Sequence, residues 1–381
     1  MQNEFDRIID RQNTGSWKWD EFGPDVLPMW IADMDFSAPN CVKQALHEAV
    51  EHGVFGYSHV TEELTNLLID RLKTRHNISA VADDLVYLPG LVTGINLACK
   101  CAGNTGDEVL VPSPAYPPFL IAPANQQRKC VKVPILKNNS SWELDFQALE
   151  NKISKATKLI LLCNPHNPTG RVYTKAELLK IGEIACKHDL IICSDEIHCD
   201  LVLDETARHI SIASLSDEIA DRTITMLAPS KTFNIAGLGF SFAVITNPAL
   251  RNKFKPTDDG LVPHINQLGF VAAEAAYKLG EPWRLELIKY LRENLEVVKN
   301  ELAEIPELDV TIPQATYLTW IDCTKLGLRD PSRYFLEEGI GLGFGSFFGN
   351  RQFVRINFAC PRKTLHKGLE IIKRACKKLK Q

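Results

Sequence analysis

Thr223-Ile-Thr-Met-Leu-Ala-Pro-Ser-Lys-Thr-Phe-Asn234 joins an uncharged, apolar run to a small, hydroxyl-bearing turn that carries one lysine. Five residues without charge (223–227), closed by Pro229, predict a strand buried on both faces, the kind found in parallel sheets. A lysine straight after such a strand is unusual, because lysine ordinarily stays on the surface. Two earlier segments close apolar runs in the same way: Asn167-Pro-Thr-Gly170 and Ser194-Asp-Glu-Ile-His198. A lysine, an asparagine and an aspartate at strand ends form a set with a defined chemistry. The amine can condense with an aldehyde, and the carboxylate can keep a basic ring nitrogen protonated, so that the ring accepts electrons.

Outward from that stretch, short apolar runs alternate with helical patterns, which predicts an α/β fold around a mostly parallel sheet. Strands are expected at 84–88, 107–111, 158–163, 190–194, 223–227 and 240–246, and helices at 40–52, 61–76, 91–102 and 174–188. Gly53 closes the first helix, and Thr61 opens the second with two acids in its first turn. From about residue 281 the pattern changes to a long amphipathic helix (281–304), mixed strands (317–322 and 353–358) and a basic C-terminal helix (363–379). The expected organisation is a large domain over 51–280 and a smaller α+β domain built from both chain ends, 1–50 and 281–381.

With 381 residues the chain can bury a large core, and its 45% hydrophobic and 24% charged residues are ordinary for a globular protein. A net charge of −4 offers no basic footprint for nucleic acid or anionic lipid. The first ten residues carry acids where a secretory signal needs bases, and no apolar run approaches the ~20 residues that span a bilayer. A cytoplasmic location without membrane or nucleic-acid partners is therefore expected. The 11 cysteines are scattered and include no C-x-x-C pair, which predicts reduced thiols rather than a disulfide framework.

Six segments in order carry a resemblance: 27–36 (Leu-Pro-Met-Trp-Ile-Ala-Asp-Met-Asp-Phe), 52–58 (His-Gly-Val-Phe-Gly-Tyr-Ser), 164–170 (Asn-Pro-His-Asn-Pro-Thr-Gly), 194–198, 230–238 (Ser-Lys-Thr-Phe-Asn-Ile-Ala-Gly-Leu) and 353–362 (Phe-Val-Arg-Ile-Asn-Phe-Ala-Cys-Pro-Arg). Over nearly its whole length the chain resembles fold-type-I pyridoxal-phosphate enzymes of the aminotransferase class I/II superfamily, in the branch of the MalY/PatB-like cystathionine β-lyases (C–S lyases). The resemblance implies the α/β fold of those transferases, a pyridoxal 5′-phosphate cofactor, an amino-acid substrate and a homodimer. It makes Lys231 the Schiff-base lysine and the base at Cα, and Asp195 the partner of the pyridine nitrogen. Asn167 and His198 would bond the phenolic oxygen, Tyr116 would stack on the ring, and Arg355 would fork the substrate carboxylate. The phosphate would take the amides of Leu91 and Val92, the hydroxyl of Ser230 and, from the second subunit, Tyr57. Leu91 and Val92 follow Pro89-Gly90 between an expected strand and helix, where amides and the helix dipole favour an anion.

Two departures matter. His198 stands where most aminotransferases place a tyrosine, and Gly239 stands where many relatives carry a phosphate-binding arginine. Both match the lyase branch. The residues themselves leave two reactions open, β-elimination and transamination, because both need the same lysine, aspartate and arginine. The branch markers favour β-elimination; a regulatory role through protein contacts alone is opposed by the intact lysine. No metal site is expected: His47 and His52 are five apart, about 140° round a helix, and cannot share an ion. Gly341-x-Gly343-x-Gly345 lacks the dinucleotide spacing.

Overall fold

A computed structural model describes residues 4–138, 141–255 and 262–380. Its larger sheet has eight strands in the order Leu85–Leu88, Ser241–Val244, Thr223–Leu227, Ile191–Asp195, Thr157–Cys163, Glu108–Ser113, Lys129–Asn138 and Ser141–Leu144. The five from Thr223–Leu227 to Lys129–Asn138 are mutually parallel. Leu85–Leu88, Ser241–Val244 and Ser141–Leu144 pair antiparallel at the two margins. The parallel centre explains the uncharged runs: every residue of Thr223–Leu227 is buried, as helices cover both faces.

Register aligns the chemistry-bearing ends. Cys163 lies beside Asp195, and Asp195 beside Met226, so residues 164–167, 195–198 and 228–231 leave the sheet at one edge. Helix Leu91–Cys101 starts above that edge and sits unusually close to the sheet, because a Cβ at Gly94 would lie 2.5 Å from Met226 Sδ. Helix Lys175–Lys187 opens with a reciprocal capping box between Thr174 and Glu177, the start signal its sequence carries.

The second sheet orders Leu27–Met29, Ile340–Phe344, Phe353–Asn357, Leu318–Asp322 and Asp309–Val310. Helices Glu281–Leu302 and Arg362–Lys378 pack on it, and one core holds Leu287, Leu291, Val298, Leu369 and Ile372 together with Phe5, Met29 and Phe36. Both chain ends thus meet in the smaller sheet. On the C-terminal helix and just after it, Lys373, Lys378 and Lys380 pair with Glu304, Glu338 and Glu307. All 11 cysteines are free.

Among the described residues, several short helices and two of nine or more residues escape the sequence patterns. Pro117–Asn125 holds prolines at its first turn and at Pro123, so it reads as a Pro-rich loop, although proline suits a first turn. Gln267–Leu279 buries Ala272, Ala273, Ala275 and Ala276 and carries only Glu274 and Lys278 as charges, so its near-continuous apolar run cannot be told from a buried strand.

Candidate active site

At the carboxyl edge of the parallel strands lies a cavity of about 380 Å³. This is where α/β sheets place ligands. Lys231, Asp195, Asn167, His198, Arg355, Tyr116, Ser230, Leu91 and Val92 all line it. Of the residues expected in the site, only Tyr57 lies elsewhere. It is fully exposed and borders a separate groove with Phe55 and Gln267.

Lys231 reaches across to the N-terminal segment and donates to the Ala32 carbonyl oxygen at 2.7 Å. Burial lowers the pKa of its amine; Asp33 and Asp195 oppose that shift and Arg355 adds to it. The amine is thereby brought nearer the neutral form that a nucleophile or base requires.

Asp195 ends its strand buried, and its one side-chain hydrogen bond among the described residues comes from the Ile197 amide at 3.1 Å. Burial raises its pKa to about 7. A buried carboxylate so thinly satisfied is set up for a cationic N–H partner. His198 is also buried, and its Nδ1 has no hydrogen-bond partner among the described residues. Its ring packs edge-on against Tyr317, with centroids 6.3 Å apart. Burial, with Lys231 and Arg355 nearby, holds its pKa down at about 3, so the ring is neutral.

Arg355 comes from the smaller sheet, where it pairs with Trp320 and Gly343. Its Nη1 donates to Asn167 Oδ1 and its Nη2 to the Trp30 carbonyl, both at 2.8 Å. The guanidinium sits 4.5 Å from the centre of the Phe348 ring. Burial lowers its pKa to about 10, which still leaves it charged at neutral pH. The Asn167 bond has a consequence for the cavity. With Oδ1 turned to Arg355, the amide is oriented and its Nδ2 hydrogens are left to offer a ligand.

Leu91 and Val92, the opening residues of helix Leu91–Cys101, line the cavity together with Ser230. Gly239 has φ +62°, and a Cβ there would stand 3.2 Å from the Pro89 carbonyl oxygen, so an arginine at that position would be strained. The missing arginine has a local backbone reason.

The segment 30–36 is where reading by side chains fell short. Its carbonyls, more than its side chains, organise the site: Trp30 O accepts from Arg355, Ala32 O from Lys231, and Ile31 O and Asp33 O from Asn357. Asn234, at φ +56°, clamps the same segment to the Lys231 turn through Met34 N, Met34 O and Phe36 O. Lys18, almost wholly buried, bonds Asp33 O and Asp35 Oδ2 from behind. Asp33, Tyr317 and Asn234 thus join the site's supporting structure; the only sequence signal for Asp33 and Asn234 was their place within matched segments, and Tyr317 merely opens an expected strand.

An amine, a carboxylate, a fixed amide donor, a guanidinium and helix-terminal amides converge here. That set suits a phosphorylated pyridine aldehyde together with an amino acid. The family profile described as aminotransferase class I and II matches residues 24–372. The chain belongs to that family. Cystathionine beta-lyase PatB of Bacillus subtilis (strain 168) is 38% identical to it, over 97% of this chain and 99% of PatB. Among solved structures, OvoB is 44% identical with a TM-score of 0.95, covering 98% of both chains. Cystalysin from Treponema denticola, whose structure contains a pyridoxal 5′-phosphate cofactor, is 35% identical with a TM-score of 0.94 over 100% of both chains.

Proposed function

We propose that the protein is a pyridoxal 5′-phosphate-dependent C–S β-lyase. It converts L-cystathionine or a related cysteine S-conjugate, with water, into a thiol, pyruvate and ammonia. The observation that carries this reading is the convergence of Lys231, Asp195 and Arg355 on one cavity at the strand ends. Kinship with PatB over nearly the full chain favours elimination over transamination.

The residues present fit the cofactor. Asp195 and His198 are buried polar groups with capacity to spare, and the helix-terminal amides supply anion donors. Lys231 would hold the aldehyde carbon, Asp195 the pyridine nitrogen, and Asn167 Nδ2 with His198 the phenolic oxygen. Leu91 and Val92 amides with Ser230 would take the phosphate, and Tyr116 the ring face. When bound, the cofactor supplies the electron sink for the pair left when the substrate's Cα–H bond breaks.

The chain's own residues do the rest. Arg355 presents a charged fork to the substrate carboxylate, held in place by Asn167 and Trp30. Lys231, its pKa lowered by burial, takes the α-proton once it is free of the aldehyde. Ala32 O holds that amine at the cavity wall by its 2.7 Å bond. In this reading the protein is a cytoplasmic homodimer. Tyr57 reaches the phosphate of the partner's site, residues 51–280 form the cofactor-binding domain, and 1–50 with 281–381 form the smaller one.

The test is purified protein with L-cystathionine, following pyruvate and free thiol, beside a reaction supplied with a 2-oxo acid. Equal yields of pyruvate and thiol without the oxo acid support the lyase. Amino-group transfer that requires the oxo acid, with no thiol released, would assign the site to transamination instead.

A further inference from the structure

Next to Asp195 in the chain, and apart from the residues that line the cavity, three separate segments bring one ligand-type side chain each to a buried point. His76 ends helix Glu62–His76, Glu196 follows strand Ile191–Asp195, and His209 lies in the connection after it. One ligand atom from each lies within 4.8 Å of the other two. Glu196 has no exposed surface, and the His76 and His209 side chains are about as closed off. Glu196 Oε2 sits 2.9 Å from His209 Nε2, and Glu196 Oε1 accepts from the hydroxyls of Ser194 and Ser211, each at 2.9 Å. Neither ring nitrogen of His76, nor Nδ1 of His209, has a hydrogen-bond partner among the described residues. Buried imidazole nitrogens are rarely left so in a fold.

We propose that His76, Glu196 and His209 bind a divalent transition-metal ion, with Zn²⁺ the best match. Two imidazoles and one carboxylate are a borderline-soft N,N,O set, which suits zinc; Mg²⁺ and Ca²⁺ prefer oxygen alone. Zinc bonds of about 2.0–2.2 Å to N and O place tetrahedral ligand atoms roughly 3.3 Å apart. The observed separations, from 2.9 Å to under 4.8 Å, bracket that value. The serine hydroxyls fix the carboxylate from behind, as supporting residues do in metal sites.

The charges around the point agree. Both ring nitrogens of His76 are buried and without a hydrogen-bond partner among the described residues, so either can turn a lone pair to an ion. Arg71 and Asp200 also face His76, but they are ion-paired with each other, so the carboxylate of Glu196 remains as the negative charge for the cation. Glu196 adjoins Asp195 in the chain. The ion would therefore staple a helix end, a strand end and a loop together next to the residue assigned to the pyridine nitrogen. Its role is structural.

The experiment uses the holoenzyme, stripped with a chelator, dialysed, and titrated with Zn²⁺ or Co²⁺. Metal content should reach one ion per chain. The Co²⁺ form should absorb in the visible without the near-ultraviolet charge-transfer band that a cysteine thiolate would add. His76→Gln and His209→Gln should each weaken binding by ~100-fold or more, while circular dichroism and cofactor absorbance report that the fold persists. The wild-type stoichiometry and cobalt spectrum stand as a test even if a variant fails to fold. Absence of stoichiometric uptake by the wild type, a thiolate signature, or wild-type affinity in both folded variants would each overturn the site.

Discussion

Replacing Arg355 with leucine separates substrate binding from cofactor binding, because the structure gives the guanidinium no bond to the groups assigned to the cofactor except through Asn167. Arg355 is buried, charged, and paired with two neutral acceptors rather than with an acid. Its unspent capacity therefore points at an incoming carboxylate. A fork makes two hydrogen bonds to that anion, each worth about 1.5–3 kcal/mol for charged partners. Losing both removes about 3–6 kcal/mol, and at ~1.4 kcal/mol per tenfold that is a fall of roughly 10²–10⁴ in kcat/KM for L-cystathionine. Most of the loss should appear in KM. Cofactor occupancy, read by visible absorbance, should change far less, since the only indirect effect is that Asn167 Oδ1 loses its donor. Arg355→Lys keeps a charge without the planar fork and should fall between wild type and Arg355→Leu. The assay is initial-rate pyruvate release over a range of substrate concentrations, with a thermal melt to verify folding. Should Arg355→Leu lose cofactor in step with activity, or lose less than about tenfold in kcat/KM, the arginine belongs to the structural frame and not to the carboxylate site.

Lys231→Ala should abolish β-elimination and the visible absorbance of the bound cofactor; a borohydride-reducible linkage surviving in the variant would remove Lys231 from its role. Acid should destabilise the cofactor-free, chelator-treated protein, because burial holds His76 at about 4 and His166 and His198 at about 3, while the unfolded chain protonates near 6.5. Each histidine thus contributes stability above pH 6.5 that is lost as pH falls towards its folded value, about 3 kcal/mol by pH 4 for His76; Asp195, raised to about 7, opposes this in the same range. Three such groups outweigh one, so urea midpoints should fall between pH 6.5 and 4.5, and a rising midpoint would contradict the buried-neutral assignment. Finally, Tyr57→Phe and Lys231→Ala subunits, each inactive alone, should regain part of the activity when mixed, since a shared-site dimer then has one intact site. No recovery despite proven subunit exchange would return Tyr57 to its own chain.

Much of the fold was legible because burial leaves a plain mark on strands. Thr223–Leu227 was placed to the residue, and Thr157–Cys163 and Ile191–Asp195 to within one, since the middle of a parallel strand covered on both faces is apolar and charge falls only near its ends, as at Lys158 and Asp195. Ser241–Val244 is equally buried yet runs antiparallel to both its neighbours, and burial alone carries no direction. Helices were legible where caps and amphipathy agree, as at Thr61 and Thr174, and illegible where a near-continuous apolar run could equally be a buried strand, as in Gln267–Leu279.

The site divides along a similar line. Side chains that leave a strand end were visible in sequence, because a lysine or aspartate there contradicts its surroundings. Backbone acceptors were not. Nothing in Trp30-Ile-Ala says that its carbonyls will receive Arg355 and Lys231, for a carbonyl is the same in every residue. Yet those two bonds tie the smaller sheet and the lysine turn to one N-terminal segment, which Asn234 and Lys18 then hold from either side. Arg355 can be aimed only if that segment is in place. The order of dependence therefore runs from Lys18 and Asn234 through the 30–36 backbone to Arg355 and Asn167, and in the proposed function only then to a substrate carboxylate. A marker such as Trp-Ile-Ala-Asp-Met-Asp thus signals a site through residues that need not touch the substrate.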